Sequence, residues 1–178
     1  MKVHSLAIAT TAAGLLVLGI ALPASAAATG PSTATVTIQG GVLAITVPAT
    51  AGNLGTQADT VGGGTISGLL GQVQVTDARS AAAGSGWVAS VIATAFTPTS
   101  GPTIPASAVG YTAGVITKVG TATYTADDPA DLTGVAPAVT ATGITGDNSA
   151  TWNPTINVAV PGGTVAGVYS GTITHSVL

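Results

Sequence analysis

The chain has 178 residues, of which 46% are hydrophobic, 3% aromatic and 5% charged, with 25 Gly, 10 Pro, no Cys and a formal net charge of −3. Average domains carry about 25% charge, and three basic residues cannot neutralise a phosphate backbone, so nucleic-acid binding is excluded. The lack of Cys excludes disulfide scaffolds and Cys-ligated zinc, and a weakly charged chain rich in β-branched residues is the reverse of a disordered composition.

Lys2 and His4 make a short polar start. Leu6 to Leu22 is an apolar run, and Pro23 followed by Ala24-Ser25-Ala26 supplies the small-residue cleavage pattern of an export signal. The expectation is a signal peptide over residues 1–26, removed after Ala26, rather than a retained anchor. Residues 27–178 are then one domain, with Arg79 and Lys118 against six Asp and His175 as its one histidine. No second apolar stretch is long enough to span a membrane, so no membrane span is expected once the signal is removed. The processed chain is expected to be secreted and to lie in the cell wall or on the cell surface.

From there on no stretch repeats with a 3.6-residue period, so no helix longer than about three turns is expected. Short β-branched runs alternate with Gly, Pro and Asn, which is the pattern of a sandwich or barrel. The runs predict strands at Ala34–Gln39, Val42–Val47, Thr65–Thr76, Trp87–Phe96, Val109–Ala113, Thr121–Thr125, Ala138–Thr142, Thr151–Val160 and Val168–Val177. Gly40-Gly41 reads as a hairpin turn between the first two. Gly62–Gly64, Ala81–Gly86 and Gly143–Ser149 read as loops, and three prolines make Thr97–Ala108 an extended crossing. The fold expected is all-β, an antiparallel Ig-like β-sandwich of about eight or nine strands. Period-2 alternation puts Trp152, Pro154, Ile156, Val158 and Val160 on one face, and Tyr169, Gly171, Ile173, His175 and Val177 on another. The strand at Trp87 is apolar on both sides and reads as central.

Two stretches carry a resemblance. VQVTDARSAAAGSGWVASV (Val73–Val91) is a strand, an acidic-then-basic turn, a Gly-rich loop and a strand opening on Trp. ATWNPTINVAVPGGTVAGVYSGTITHSV (Ala150–Val177) is a strand broken by Pro, a short crossing and then G-x-Y-x-G-T-I-T. Together they resemble the WxL domain of Gram-positive surface proteins, and especially its secreted actinobacterial relatives. The resemblance is to the framework: the first Trp-x-Leu position reads Trp87-Val88-Ala89, and the second reads His175-Ser176-Val177. It implies non-covalent association with the cell wall through peptidoglycan, or with a partner surface protein.

The residues through which such binding would act are Trp87, Val88, Ala89, Trp152, Tyr169 and His175. Trp87 and Trp152 could stack on sugars, but each leads a strand with apolar residues at i+2 and beyond, which is also how a core tryptophan is placed. Tyr169 could be a corner tyrosine bonded to the backbone. His175 is the base that a Ser–His–Asp triad would need, but no G-x-S-x-G elbow accompanies it, and its alternation with Ile173 and Val177 points to a half-buried place. Asp127, Asp128 and Asp131 offer the oxygen ligands that calcium takes, without EF-hand spacing; turn-forming Asp is the plainer reading. Asp77 and Arg79 are expected to pair in an exposed turn, worth ~0–1 kcal/mol. A wall-sugar hydrolase would need one buried carboxyl of a pair, and every Asp here reads as a loop residue. The expectation is a protein without catalytic residues, cofactor or resident metal. The second reading is a self-associating or adhesive coat component, favoured by low charge.

Overall fold

Val, Ile and Thr at alternate positions build strands wherever one face can be buried, and the computed structural model, which describes residues 32–178, contains ten of them, all paired antiparallel. The export signal read at residues 1–26 lies outside the described residues. Among the described residues no helix is long and apolar enough to cross a membrane. Ile38–Leu178 forms one compact unit, and residues 32–37 have no regular secondary structure.

The larger sheet has the order β1 (Leu43–Thr46), β3 (Val73–Ala93), β7 (Ala136–Trp152), β6 (Thr117–Ala126). β10 (Ile173–Val177) also lies on β3: β1 takes Gln74–Asp77 and β10 takes Ala89–Ala93. The smaller sheet has the order β2 (Gly64–Leu69), β8 (Thr155–Val160), β5 (Val109–Thr112), and β4 (Thr97–Pro98) pairs with β9 (Tyr169–Ser170). One short 3₁₀ turn, Ala106–Ala108, precedes β5. The architecture is the all-β sandwich expected, with eight strands of four residues or more and two of two residues.

Val73, Val75, Trp87, Ala89 and Val91 from β3, and Ala141, Ile144, Ala150 and Trp152 from β7, meet Val109, Tyr111, Ile156 and Val158 from the smaller sheet in one core. Each large side chain so buried contributes roughly 1.5–3 kcal/mol. Trp152, Pro154, Ile156 and Val158 are buried at every second position, and Ile173, His175 and Val177 are half-buried between exposed Thr174 and Ser176, as the alternation predicts.

The boundaries differ from the sequence reading in several places: Thr151–Val160 is the end of β7 plus β8, Val168–Val177 is β9 plus β10, and Thr97–Pro98, read as part of a crossing, pairs with β9. Three further differences have a clear physical reason. The stretch Thr65–Thr76 is two strands. Gly71 adopts φ +103° and the chain crosses between sheets, held by Leu70 N–H on Pro154 O (2.9 Å) and Gly71 N–H on the Asn153 side chain (3.0 Å). The three-residue crossing resets the parity, so both Ile66 and Val73 can turn inward. Ala81–Gly86 and Gly143–Ser149 are not free loops but lie within β3 and β7, paired across a ladder with register shifts at Asp77/Ala81, Ala81/Ser85 and Ser85/Trp87. Their small residues have weak strand propensity, and the neighbouring ladder imposes the conformation. At Gly86 the close approach is part of this: a Cβ would lie 2.7 Å from Ala141 O. Finally, Ala34–Gln39 forms no ladder and Gly40-Gly41 makes no hairpin. Gly41 N–H bonds Ala78 O and Ala78 N–H bonds Val42 O, so the glycines lead into β1 beside β3. The β3 edge then bulges, with Ser80 at φ +53°, and offers no further rungs.

Candidate functional site: two tryptophan clusters and an end groove

The two stretches that carry the family resemblance come together in space. β10 runs along the end of β3 so that Val177 faces Ala89 and His175 faces Val91, while Val88 and Leu178 exchange both backbone hydrogen bonds. Trp87-Val88-Ala89 and His175-Ser176-Val177 therefore sit on adjacent strands.

Trp87 is 2% exposed, and its Nε1–H donates to Asn148 Oδ1 at 3.0 Å. The Tyr124 hydroxyl donates to the same oxygen at 3.1 Å, with its ring tilted 5.6 Å from that of Trp87. Asn148 Nδ2 donates to Asp77 Oδ2 (3.3 Å), across the rung that joins Asp77 to Asn148. Arg79 closes the network with Nε on Asp77 Oδ1 (2.8 Å) and an Nη on Oδ2 (2.9 Å), and its backbone N–H also reaches Oδ1. Asp77 is fully buried rather than in an exposed turn, while the Arg79 side chain keeps 38% of its surface exposed. The Arg79 hydrogen bonds hold the Asp77 carboxyl below its ordinary value against the opposing effect of burial. A bidentate guanidinium–carboxylate pair is directional as well as strong. Here it sits at the first register shift of β3 and fixes where the bulge falls.

Trp152 is also 2% exposed. Its Nε1–H donates to the Tyr111 hydroxyl at 2.6 Å, and that hydroxyl lies 3.3 Å from His175 Nε2, the two rings meeting edge to face at 5.6 Å. A phenol that accepts from Trp152 has its own proton to give to Nε2, so a neutral His175 carries its proton on Nδ1. Nδ1 is buried and, among the described residues, has no partner. Burial pulls the His175 pKa down to about 4 and pushes that of Tyr111 up.

Neither indole presents a ring face to solvent. Val88 is half-buried and Ala89 fully buried in the same strand. Tyr169 is placed differently: half-buried, it donates through its hydroxyl to Val165 O four residues back, at 2.8 Å, and it lines a groove of about 900 Å³ at one end of the sandwich. The groove lies between the segments Pro48–Thr60 and Thr164–Ile173. Ile66, Leu70, Val158, Phe96 and Ile104 are among its apolar lining, and Asn53, Gln57, Asp59, Thr60, Ser170 and Thr172 among its polar lining. Leu54, in the first of these segments, lies so close to Gly68 of β2 that any side chain at Gly68 would collide with its backbone.

Asp127, Asp128 and Asp131 are each engaged separately. Asp127 accepts from the Thr140 hydroxyl (2.8 Å), Asp128 from Ala113 N–H (2.7 Å) and Asp131 from Thr133 N–H (2.8 Å). Among the described residues no group of three metal-ligating side chains comes together. Asp147 accepts from Ser80 N–H at 2.9 Å and so secures the positive φ of that residue.

Asn148, Tyr124 and Tyr111 were not singled out in the sequence, although each sits at an inward-facing position where a polar atom demands a partner. Comparison with family models, curated proteins and solved structures returns no match for this chain.

Proposed function

We propose that the processed chain is a non-catalytic module of the cell exterior that holds the cell wall non-covalently, with peptidoglycan as its ligand, through the groove at the end of the sandwich. The observation that carries this reading is the make-up of that groove. A lining of apolar side chains together with hydroxyl and amide groups suits a neutral polymer that has both apolar faces and hydroxyls. Among the described residues Asp59 is the one carboxylate in its lining, whereas glycoside cleavage calls for two facing each other across the bond. His175, the candidate base, is committed to Tyr111 inside the core. The export signal and the resemblance to wall-associated domains point to the same side of the membrane. A protein partner on that surface would meet the same groove.

The test is sedimentation of residues 27–178 with purified peptidoglycan. Saturable co-sedimentation without release of soluble sugar is expected. Protein that stays in the supernatant, or glycan that is solubilised, would refute the reading.

A further inference from the structure

The longest open edge among the described residues belongs to β6. It is ten residues long and pairs only with β7, whereas the other edge strands of four residues or more, β1, β2, β5 and β10, have four to six. Natural sheets blunt such an edge with Lys, Pro or a bulge. β6 does so chiefly in its first half, where Lys118 precedes Gly120 (φ +86°); the register shifts at Val119/Thr121 and again at Thr121/Thr123, and runs unbroken from Thr123 to Ala126. From Thr121 to Ala126 it reads Thr-Ala-Thr-Tyr-Thr-Ala, with neither charge nor proline. Thr121, Thr123 and Thr125 are exposed, and Ala122 and Tyr124 turn toward the core.

The chain also holds a segment with the alternation of a strand but no ladder. Residues 33–39 read Thr-Ala-Thr-Val-Thr-Ile-Gln, carry no charge and are exposed throughout, with Val36 at 88% and Ile38 at 86%. Their alternation repeats that of the open edge: threonine on one face, apolar residues on the other.

We propose that residues 33–39 of one copy add as a strand to the Thr121–Ala126 edge of β6 in a second copy, so that chains associate head to tail. Main-chain hydrogen bonds join the two strands. The face with Val36 and Ile38 extends the one that carries Ala122 and Tyr124, and the threonines line up as cross-strand pairs. Neither partner brings a charge that opposes pairing. Because donor and acceptor are different surfaces, the contact is heterologous and leaves an open end on each assembly. The inference stands independently of wall binding.

Sedimentation velocity of residues 27–178 without peptidoglycan, over a concentration series, tests it. A ladder of oligomers that grows with concentration is expected. The strand variant Val36→Lys/Ile38→Lys and the edge variant Thr123→Lys/Thr125→Lys should each be monomeric, with melting temperatures unchanged because all four positions are exposed. Mixed together, the two variants should form dimers and nothing longer, since one retains the edge and the other the strand. A wild-type chain that stays monomeric, oligomers that survive the strand variant, or variants that fail to complement each other would overturn the proposal.

Discussion

Trp87 and Trp152 each donate an indole N–H to a buried side-chain oxygen, but that oxygen belongs to a charged network in the first case and to a neutral one in the second. Around Trp87 each link is made, and the chain of bonds ends on a guanidinium that reaches solvent. Around Trp152 the chain of bonds runs through Tyr111 to His175 and stops at a buried nitrogen that has no partner among the described residues. The first arrangement locks register in the irregular part of β3 and β7. The second packs aromatic rings between the sheets and depends on an imidazole staying neutral. A satisfied polar network specifies geometry, whereas an incomplete one makes stability responsive to conditions.

The largest effect should come from Trp87→Ala. It removes a fully packed indole, leaves a cavity and frees Asn148 Oδ1, at a cost of about 3–5 kcal/mol from a typical total of about 5–15. Chemical denaturation measures this, and a loss below about 1 kcal/mol would mean that the ring is not packed as described.

Acid should separate the clusters. The folded His175 pKa of about 4 lies below the ordinary value of 6.5, so the unfolded chain binds its proton first. Stability from this group is intact above pH 6.5, falls as pH drops toward 4 and changes no further below that. With allowance for partial exposure the loss is about 1–3 kcal/mol. Asp77 contributes in a different window: its carboxyl is held low by Arg79, so its stabilisation is lost only as pH falls below 3.8. His175→Phe should flatten the profile between pH 6.5 and 4 and leave the steeper acid limb in place. A variant with the wild-type slope in that window would show that His175 is not its source.

Arg79→Gln should cost less, about 1–3 kcal/mol: it leaves the buried Asp77 carboxylate with only Asn148 and the residue 79 N–H as partners, but the guanidinium it removes is itself partly exposed. The loss should shrink in high salt. Smallest of all is the response to chelation. Thermal melts with and without EDTA should agree within about 5 °C, which is about 1 kcal/mol for a domain of this order. A larger shift would promote Asp127, Asp128 and Asp131 to a metal site.

Much of the fold was legible because period-2 alternation survives where the chain faces the core on one side only: from Trp152 at the end of β7 across Pro154 to Val158 of β8, and from Ile173 to Val177. The strand at Trp87 was legible as central for a different reason, its apolar residues on both sides. The paired middles of β3 and β7 were not, because Ala81–Gly86 and Gly143–Ser149 carry the composition of loops and become strands only through each other. Asp77 was read as exposed because its local sequence is that of a turn. What buries it is Asn148, 71 residues away along the chain. The groove had no local signal except Tyr169, since its two lining segments, Pro48–Thr60 and Thr164–Ile173, are more than a hundred residues apart and only the second holds any strand.

The central claim is that the tryptophans hold the domain together and the groove does the binding. The most direct measurement is co-sedimentation with peptidoglycan of Gln57→Ala/Asp59→Ala, two exposed positions in the groove whose removal should change stability by less than about 0.5 kcal/mol each. The account predicts a melting temperature like that of the wild type together with a clear loss of co-sedimentation. Binding equal to that of the wild type, from a variant that is equally stable, would contradict it.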